Sequence, residues 1–272
     1  MSIIKKTILY ILLTVAALSF IYPFFWMIMA SLSPEAEIGS LVFFPSRITF
    51  SNYISMVSKI PIGRALFNSL LVSGINTGVA LVFSSMVGYA LSRMEFKGRN
   101  LIFMIIIFTM TLPFQITLIP NYIIMVKLRW VDSYLSLTVP FLINTFGILM
   151  FRQAFKGLPQ ALIDAARIDG CGDLRIIFTI LWPNIKPTIV TVGILAFMGS
   201  WNEVLWPLIV IRDEQLMTLP QLVTLFAVGG RAESQIGVKL ASAVFLATPI
   251  IVAYLFFQKH FIQSMASTGL KE

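Results

Sequence analysis

Residues Leu158 to Pro187 read LPQALIDAARIDGCGDLRIIFTILWPNIKP. This is a polar-amphipathic insert with long apolar stretches on either side. Pro159 suits the first turn of a helix, where no backbone N–H is needed. Gln160 to Asp169 then reads as about ten helical residues, roughly 15 Å long. Gly170 and Gly172 stop it, since glycine tolerates the left-handed geometry of a helix end. Asp173 is placed to cap a second helix over Leu174 to Leu181. Pro183 and Pro187 close that helix and launch the next apolar segment. The pattern is a knuckle, two short helices hinged at glycine. Ala165 and Ala166 at its tip are small, so a partner surface can approach the backbone, and Asp164, Arg167, Asp169 and Arg175 set charges around it. On the residues alone, a solvated loop helix fits as well as a docking element.

Hydrophobic residues make up 58% of the 272, and charged residues only 12%, half of the roughly 25% usual in a soluble domain. Several windows exceed the roughly 18 apolar residues that can cross a bilayer. The fold class is therefore an all-α polytopic membrane protein. Six spans are expected, over about 7–31, 65–92, 101–126, 134–151, 187–210 and 239–257. They form one membrane domain covering 1–272, with the insert as a loop over 152–186. The first span reads as retained rather than cleaved, because the apolar run after Lys5 and Lys6 continues to about Ala30 with no A-x-A site. Tyr22, Pro23 and Trp26 near its far end fit an interfacial belt. The polar segment Leu32 to Ile62 holds one short helix around Tyr53 to Lys59. The second span is rich in small and polar residues, among them Asn68, Ser69, Asn76, Ser84, Ser85 and Gly88, as in a helix packed inside a bundle. The third carries Pro113 and Pro120. It is either a kinked helix or one unwound beside protein or a watery cavity. A further short helix is expected around Leu219 to Val228.

The net charge of +8 reports loop orientation and lipid contact rather than nucleic acid. Of the Lys and Arg residues, twelve fall on the side of the two termini and eight on the other, which places both termini and the knuckle in the cytoplasm. Cys171 is the lone cysteine, which excludes an internal disulfide and a CxxC metal site. His260 is the only histidine and sits in no metal set. No GxxxxGK[ST] loop is present, so the chain does not itself cradle ATP phosphates. No catalytic, cofactor or metal residue is assigned. An intramembrane enzyme would need at least two facing ionisable groups within the spans, and Glu203 alone is deep enough. Glu203 faces the bundle as a functional residue, or else it sits at the outer interface with the tryptophans as anchors. Trp201, Asn202 and Trp206 beside it carry the stacking faces and amide groups that sugars use.

The knuckle resembles the EAA loop of ATP-binding cassette importer permeases: E-A-A, three residues, G, nine residues, then I-x-L-P. Asp164-Ala165-Ala166 stands at E-A-A, Gly170 at the glycine, and Ile180-Leu181-Trp182-Pro183 at the closing motif. Asp164 departs from glutamate and shortens the reach by one methylene; Trp182 departs from leucine. The Arg167 to Gly170 run matches the carbohydrate branch. So do Gly88 to Arg93 before Phe96 to Arg99, Ile119 to Tyr122, Trp201 to Glu203 before Trp206 to Leu208, and Thr218 to Pro220. The tail from Gln258 is similar to that of the smaller permease of maltose-type importers. Ser264 and Ala266 replace its usual glycines, while Gly269 and Lys271 remain.

The resemblance implies a type I ABC importer permease fold forming half of a sugar translocation pore in a bacterial or archaeal cytoplasmic membrane. It implies a homologous second permease, two ATPase subunits that bind ATP and Mg, and an extracytoplasmic sugar-binding protein. It assigns ATPase coupling to Asp164, Ala165, Ala166, Arg167, Asp169, Gly170 and Pro183. Trp201, Asn202, Glu203 and Trp206 are its substrate-path candidates, although in maltose-type systems the larger permease mainly holds the sugar. Two rival readings are a permease for another solute and an ATP-independent carrier or channel. The first is opposed by the Trp201-Asn202-Glu203 signature and the Gly88 to Arg99 turn. The second leaves the knuckle without a purpose.

Overall fold

A computed structural model describes residues 3–39, 44–228 and 235–269, with side chains of the final helix described through residue 252 and at Leu255. Among these residues every regular element is helical. In chain order the helices are α1 (Ile3–Ser31), α2 (Ser51–Lys59), α3 (Ile62–Arg93), α4 (Arg99–Met110), α5 (Phe114–Lys127), α6 (Tyr134–Thr138) and α7 (Thr145–Lys156). They continue as α8 (Gln160–Ile168), α9 (Asp173–Arg175), α10 (Trp182–Asn184), α11 (Lys186–Trp201), α12 (Leu205–Val210), α13 (Leu219–Val228) and α14 (Ile236–Gly269). A π-helical stretch, Ile176–Leu181, joins α9 to α10. The side chains of His260 and of the tail residues Ser264, Ala266 and Lys271 lie outside the described residues.

By length and composition, α1 and α3 can each cross a membrane. Three further pairs are apolar enough when taken together but bend sharply: α4 with α5 by 101°, Tyr134–Phe141 with α7 by 42°, and Asp173–Asn184 with α11 by 97°. The two prolines of the third expected span act differently. Pro113 has extended backbone and precedes α5, so the ladder stops there. Pro120 sits inside α5, which remains continuous. The third expected span therefore has one sharp break, at Pro113, and one tolerated proline, Pro120.

The chain forms two compact units. The first comprises Met1–Ile62 and Leu222–Ile251. Here the Asn52 amide donates to the carbonyls of Ser31 and Ser33, both at 2.9 Å, and closes the end of α1. The Glu35 carboxylate accepts from the backbone N–H groups of Ile236 and Gly237 and caps the start of α14. Along most of its length α1 leaves apolar side chains exposed, a surface suited to lipid or another protein and not to water.

The second unit comprises Gly63–Gln221 and Val252–Glu272. Helix α3 runs through it, and its buried polar side chains bond to neighbouring backbone. Asn68 donates to the carbonyls of Gln215 and Met217, both at 2.9 Å, and accepts from the Tyr134 hydroxyl at 2.7 Å. The Leu219 N–H donates to Ser69 Oγ at 2.7 Å. At Gly88 the backbone of α7 lies so close that an added Cβ would stand 2.8 Å from Phe151 Cβ and 2.9 Å from Arg152 N. Backbone cannot swing away as a side-chain tip can, so Gly88→Ala is expected to cost about 1–3 kcal/mol by overpacking. Gly78 has open space around it, so Gly78→Ala is expected to be neutral or to gain up to about 1 kcal/mol in helix propensity. Thermal unfolding of the isolated chain in detergent checks the contrast: only the Gly88 variant should melt lower.

Candidate functional site

The knuckle has two faces. On α8, Ile163 and Ala166 are buried, while Asp164 and Ala165 face outward and Ile168 is 87% exposed. Ala166 is therefore packed against its own chain and only Ala165 of the pair is open to a partner. Arg167 and Asp169 are also exposed. Gly170 takes the left-handed conformation at φ +77°, and its N–H closes on Arg167 O at 3.0 Å. Gly172 does not; it is extended and precedes α9. Asp173 is the first residue of α9 and makes no cap, contrary to expectation. Its carboxylate instead accepts from the Tyr89 hydroxyl at 2.9 Å and from Arg167 Nη2 at 3.3 Å. That hydrogen bond raises the Arg167 pKa further above its usual value. Asp164 has a different partner, accepting from Gln160 Nε2 at 3.0 Å.

The second arm is not one α-helix. Its π-wound middle turns Ile176, Ile177 and Leu181 inward together. Pro183 is exposed at the start of α10 and does not end the arm, since an N-terminal proline loses no needed bond. The break comes at Ile185, and α11 opens with Lys186 and Pro187. The inward residues of both arms share a core with Tyr89 of α3 and Phe151 and Phe155 of α7. Tyr89 meets Phe155 edge-on, with ring centroids 6.1 Å apart.

A cavity of about 640 Å³ lies elsewhere in the same unit. Three helix breaks line it. Leu112 and Phe114 come from the break between α4 and α5, Ile143 and Asn144 from that before α7, and Ser200, Glu203 and Trp206 from that between α11 and α12. Val72, Asn76 and Ala80 of α3 complete the wall. Polar side chains restart two of the broken helices, α7 and α12. Asn144 Oδ1 accepts from Gly147 N at 2.7 Å, and Glu203 Oε1 accepts from Trp206 N at 3.0 Å. The Trp206 indole donates to Ser136 O at 2.7 Å. Asn76 Nδ2 donates to Leu137 O at 3.2 Å and Ser200 Oγ at 3.0 Å. Asn76 Oδ1 and Thr218 Oγ1 have no partner among the described residues, although both side chains are buried and both residues line the cavity. Buried polar atoms of this kind call for water or a bound molecule. Glu203 is the one charged side chain among the lining residues.

Of the four substrate-path candidates, the cavity gathers Glu203 and Trp206. Trp201 is buried against Phe197, with ring centroids 5.8 Å apart, and Asn202 is exposed; neither lines the cavity. Sequence reasoning missed Asn76 and Asn144 as cavity residues. Their signal was an amide inside an apolar run, which reads equally as helix packing. The Ile119 to Tyr122 and Thr218 to Pro220 motifs each contribute one lining residue, Asn121 and Thr218.

The sequence pattern of the family described as "Binding-protein-dependent transport system inner membrane component" matches residues 80–267. The chain is 37% identical over 257 residues to the arabinooligosaccharides transport system permease protein AraQ of Halalkalibacterium halodurans, with 92% of this chain and 91% of that one covered. It is 28% identical to the lactose transport system permease protein LacG of Rhizobium radiobacter, covering 94% and 93%. Its fold is similar to a chain in the crystal structure of a bacterial ABC transporter involved in the import of the acidic polysaccharide alginate. The TM-score is 0.83 at 27% identity, over 95% of this chain and 96% of that one. An all-helical chain with this fold and a match over residues 80–267 belongs to the family of binding-protein-dependent transport system inner membrane components, the permease subunits of ABC transporters.

Proposed function

We propose that the chain forms half of the translocation pore of an ATP-driven oligosaccharide importer. A homologous second permease supplies the other half. Two ATPase subunits, which hold ATP and Mg, sit below, and an extracytoplasmic sugar-binding protein delivers the solute. The six spans are α1, α3, α4 with α5, α6 with α7, α11 with α12, and α14, with both termini cytoplasmic.

One observation carries this reading. The knuckle over 158–183 is anchored by a buried face to α3 and α7, and it presents Asp164, Ala165 and Ile168 outward. A solvated loop needs no such anchoring, and an exposed isoleucine on a polar loop fits a protein partner. Asp164, Ala165, Arg167, Asp169, Gly170 and the exposed Pro183 form the coupling surface, while Ala166 keys the helix to its base. Closure of the ATPases pushes the knuckle, and spans hinged at the three breaks turn the cavity from one side of the membrane to the other. The effect depends on contacts that differ between the two states.

The sugar assignment draws on relatives named for sugar transport and on the cavity itself. Amide and hydroxyl groups of Asn76, Asn121, Asn144, Ser200 and Thr218 stand beside the rings of Phe114 and Trp206, a mixture suited to hydroxyl-rich rings with apolar faces.

Two outcomes are expected. Gly170 has positive φ and donates from its N–H, neither of which proline permits. Gly170→Pro should insert normally but abolish binding-protein-stimulated ATP hydrolysis in the reconstituted complex; full stimulated activity would refute the coupling role. Glu203→Gln keeps a carbonyl oxygen for the Trp206 N–H and removes only the charge. It should change the KM for uptake several-fold without altering the amount of assembled complex, and unaltered uptake would make Glu203 purely a helix cap.

A further inference from the structure

The last turn of α3 holds both arms of the knuckle. The Arg93 guanidinium donates to the carbonyls of Phe155 and Leu158, at the end of α7 and the entry to the knuckle. Its Nη1 also donates to Gln160 Oε1 at 2.8 Å. Gln160 in turn donates from Nε2 to Asp164 Oδ1 at 3.0 Å. One turn earlier, Tyr89 donates to Asp173 at the head of the second arm, and Arg167 of the first arm joins the same carboxylate. A planar five-donor fork holds these acceptors in one fixed geometry, which the three rotatable donors of an ammonium group do not. The contacts extend along one continuous 32-residue helix, about 48 Å long, whose middle carries Val72, Asn76 and Ala80 into the cavity wall.

We propose that Arg93 and Tyr89 are the positioning residues through which the knuckle moves the cavity. Arg93 orients Asp164 by way of Gln160, Tyr89 fixes the second arm through Asp173, and α3 carries their displacement to Asn76 as a rod. The proposal rests on the knuckle being the ATPase contact. It assigns a transmitting role to the Gly88 to Arg93 turn, which the site described above leaves without one. The other spans near the cavity are broken and can hinge, whereas α3 is unbroken from Ile62 to Arg93.

The test uses the complete complex, with both permeases, the ATPases and the binding protein, in proteoliposomes. Tyr89→Phe removes one hydroxyl and keeps the ring in its core, and Arg93→Lys keeps the charge and loses the fork. Each is built with Ala165→Cys in a Cys171→Ser background. Two quantities are read: cross-linking of position 165 to the ATPase, and solute taken up per ATP hydrolysed. The ratio does not depend on how much complex assembles. The loss of a charge-assisted hydrogen bond is expected to lower it about tenfold, with cross-linking retained. Retained cross-linking with an unchanged ratio in both variants would overturn the rod while leaving the docking site in place. No cross-link in the parent complex would remove the docking reading, and the rod with it.

Discussion

The governing constraint is that backbone N–H and C=O groups inside hydrocarbon need partners. An unbroken helix supplies them internally, and a broken one does not. This chain breaks its helices at three places that share one cavity, and it answers two of the breaks, those before α7 and before α12, with polar side chains. Asn144 and Glu203 accept from the N–H groups of restarting helices, while Asn76 and Trp206 donate to the carbonyls of Leu137 and Ser136. Asn76, Asn144 and Glu203 thus both make the cavity polar and hold breaks together. A bound solute at Asn76 Oδ1 or Thr218 Oγ1 would touch the scaffold itself, so occupancy and helix geometry cannot be independent.

Much of this was legible in the chain because it is written locally. The short helices at Ser51–Lys59 and Leu219–Val228, the left-handed Gly170 and the break at Pro113 follow from patterns within a few residues. The failures come from information that is not local. Asp173 looks like a helix cap until Tyr89, 84 residues away, claims its carboxylate. Asn76 looks like packing until Ser200, 124 residues away, accepts from it. Pro120 and Pro183 both read as breakers, yet one is tolerated inside α5 and the other starts a turn. Trp201 and Trp206 read as one pair. The break at 202–204 resets the helical phase between them, so that both are buried but only Trp206 lines the cavity. The winding of Ile176–Leu181 has no signal in composition.

Whether a push on the knuckle reaches the membrane is a question of magnitude. Ile163, Ile176, Ile177, Leu181 and Ile185 are each at least 95% buried. At about 1.5–3 kcal/mol per side chain, their anchoring is on the order of 10 kcal/mol. Coupling free energies between sites are typically about 1–3 kcal/mol. Anchoring exceeds coupling, so under the proposed load the knuckle would not peel from its base but would move with the ends of α3 and α7. A loop held only by surface ion pairs, worth about 0–1 kcal/mol each, would yield before its spans did. The exposed Arg167–Asp173 pair therefore cannot be what bears the load. In the proposed coupling the buried aliphatic face would bear it, and the polar contacts of Tyr89 and Arg93 would set the direction in which it is delivered.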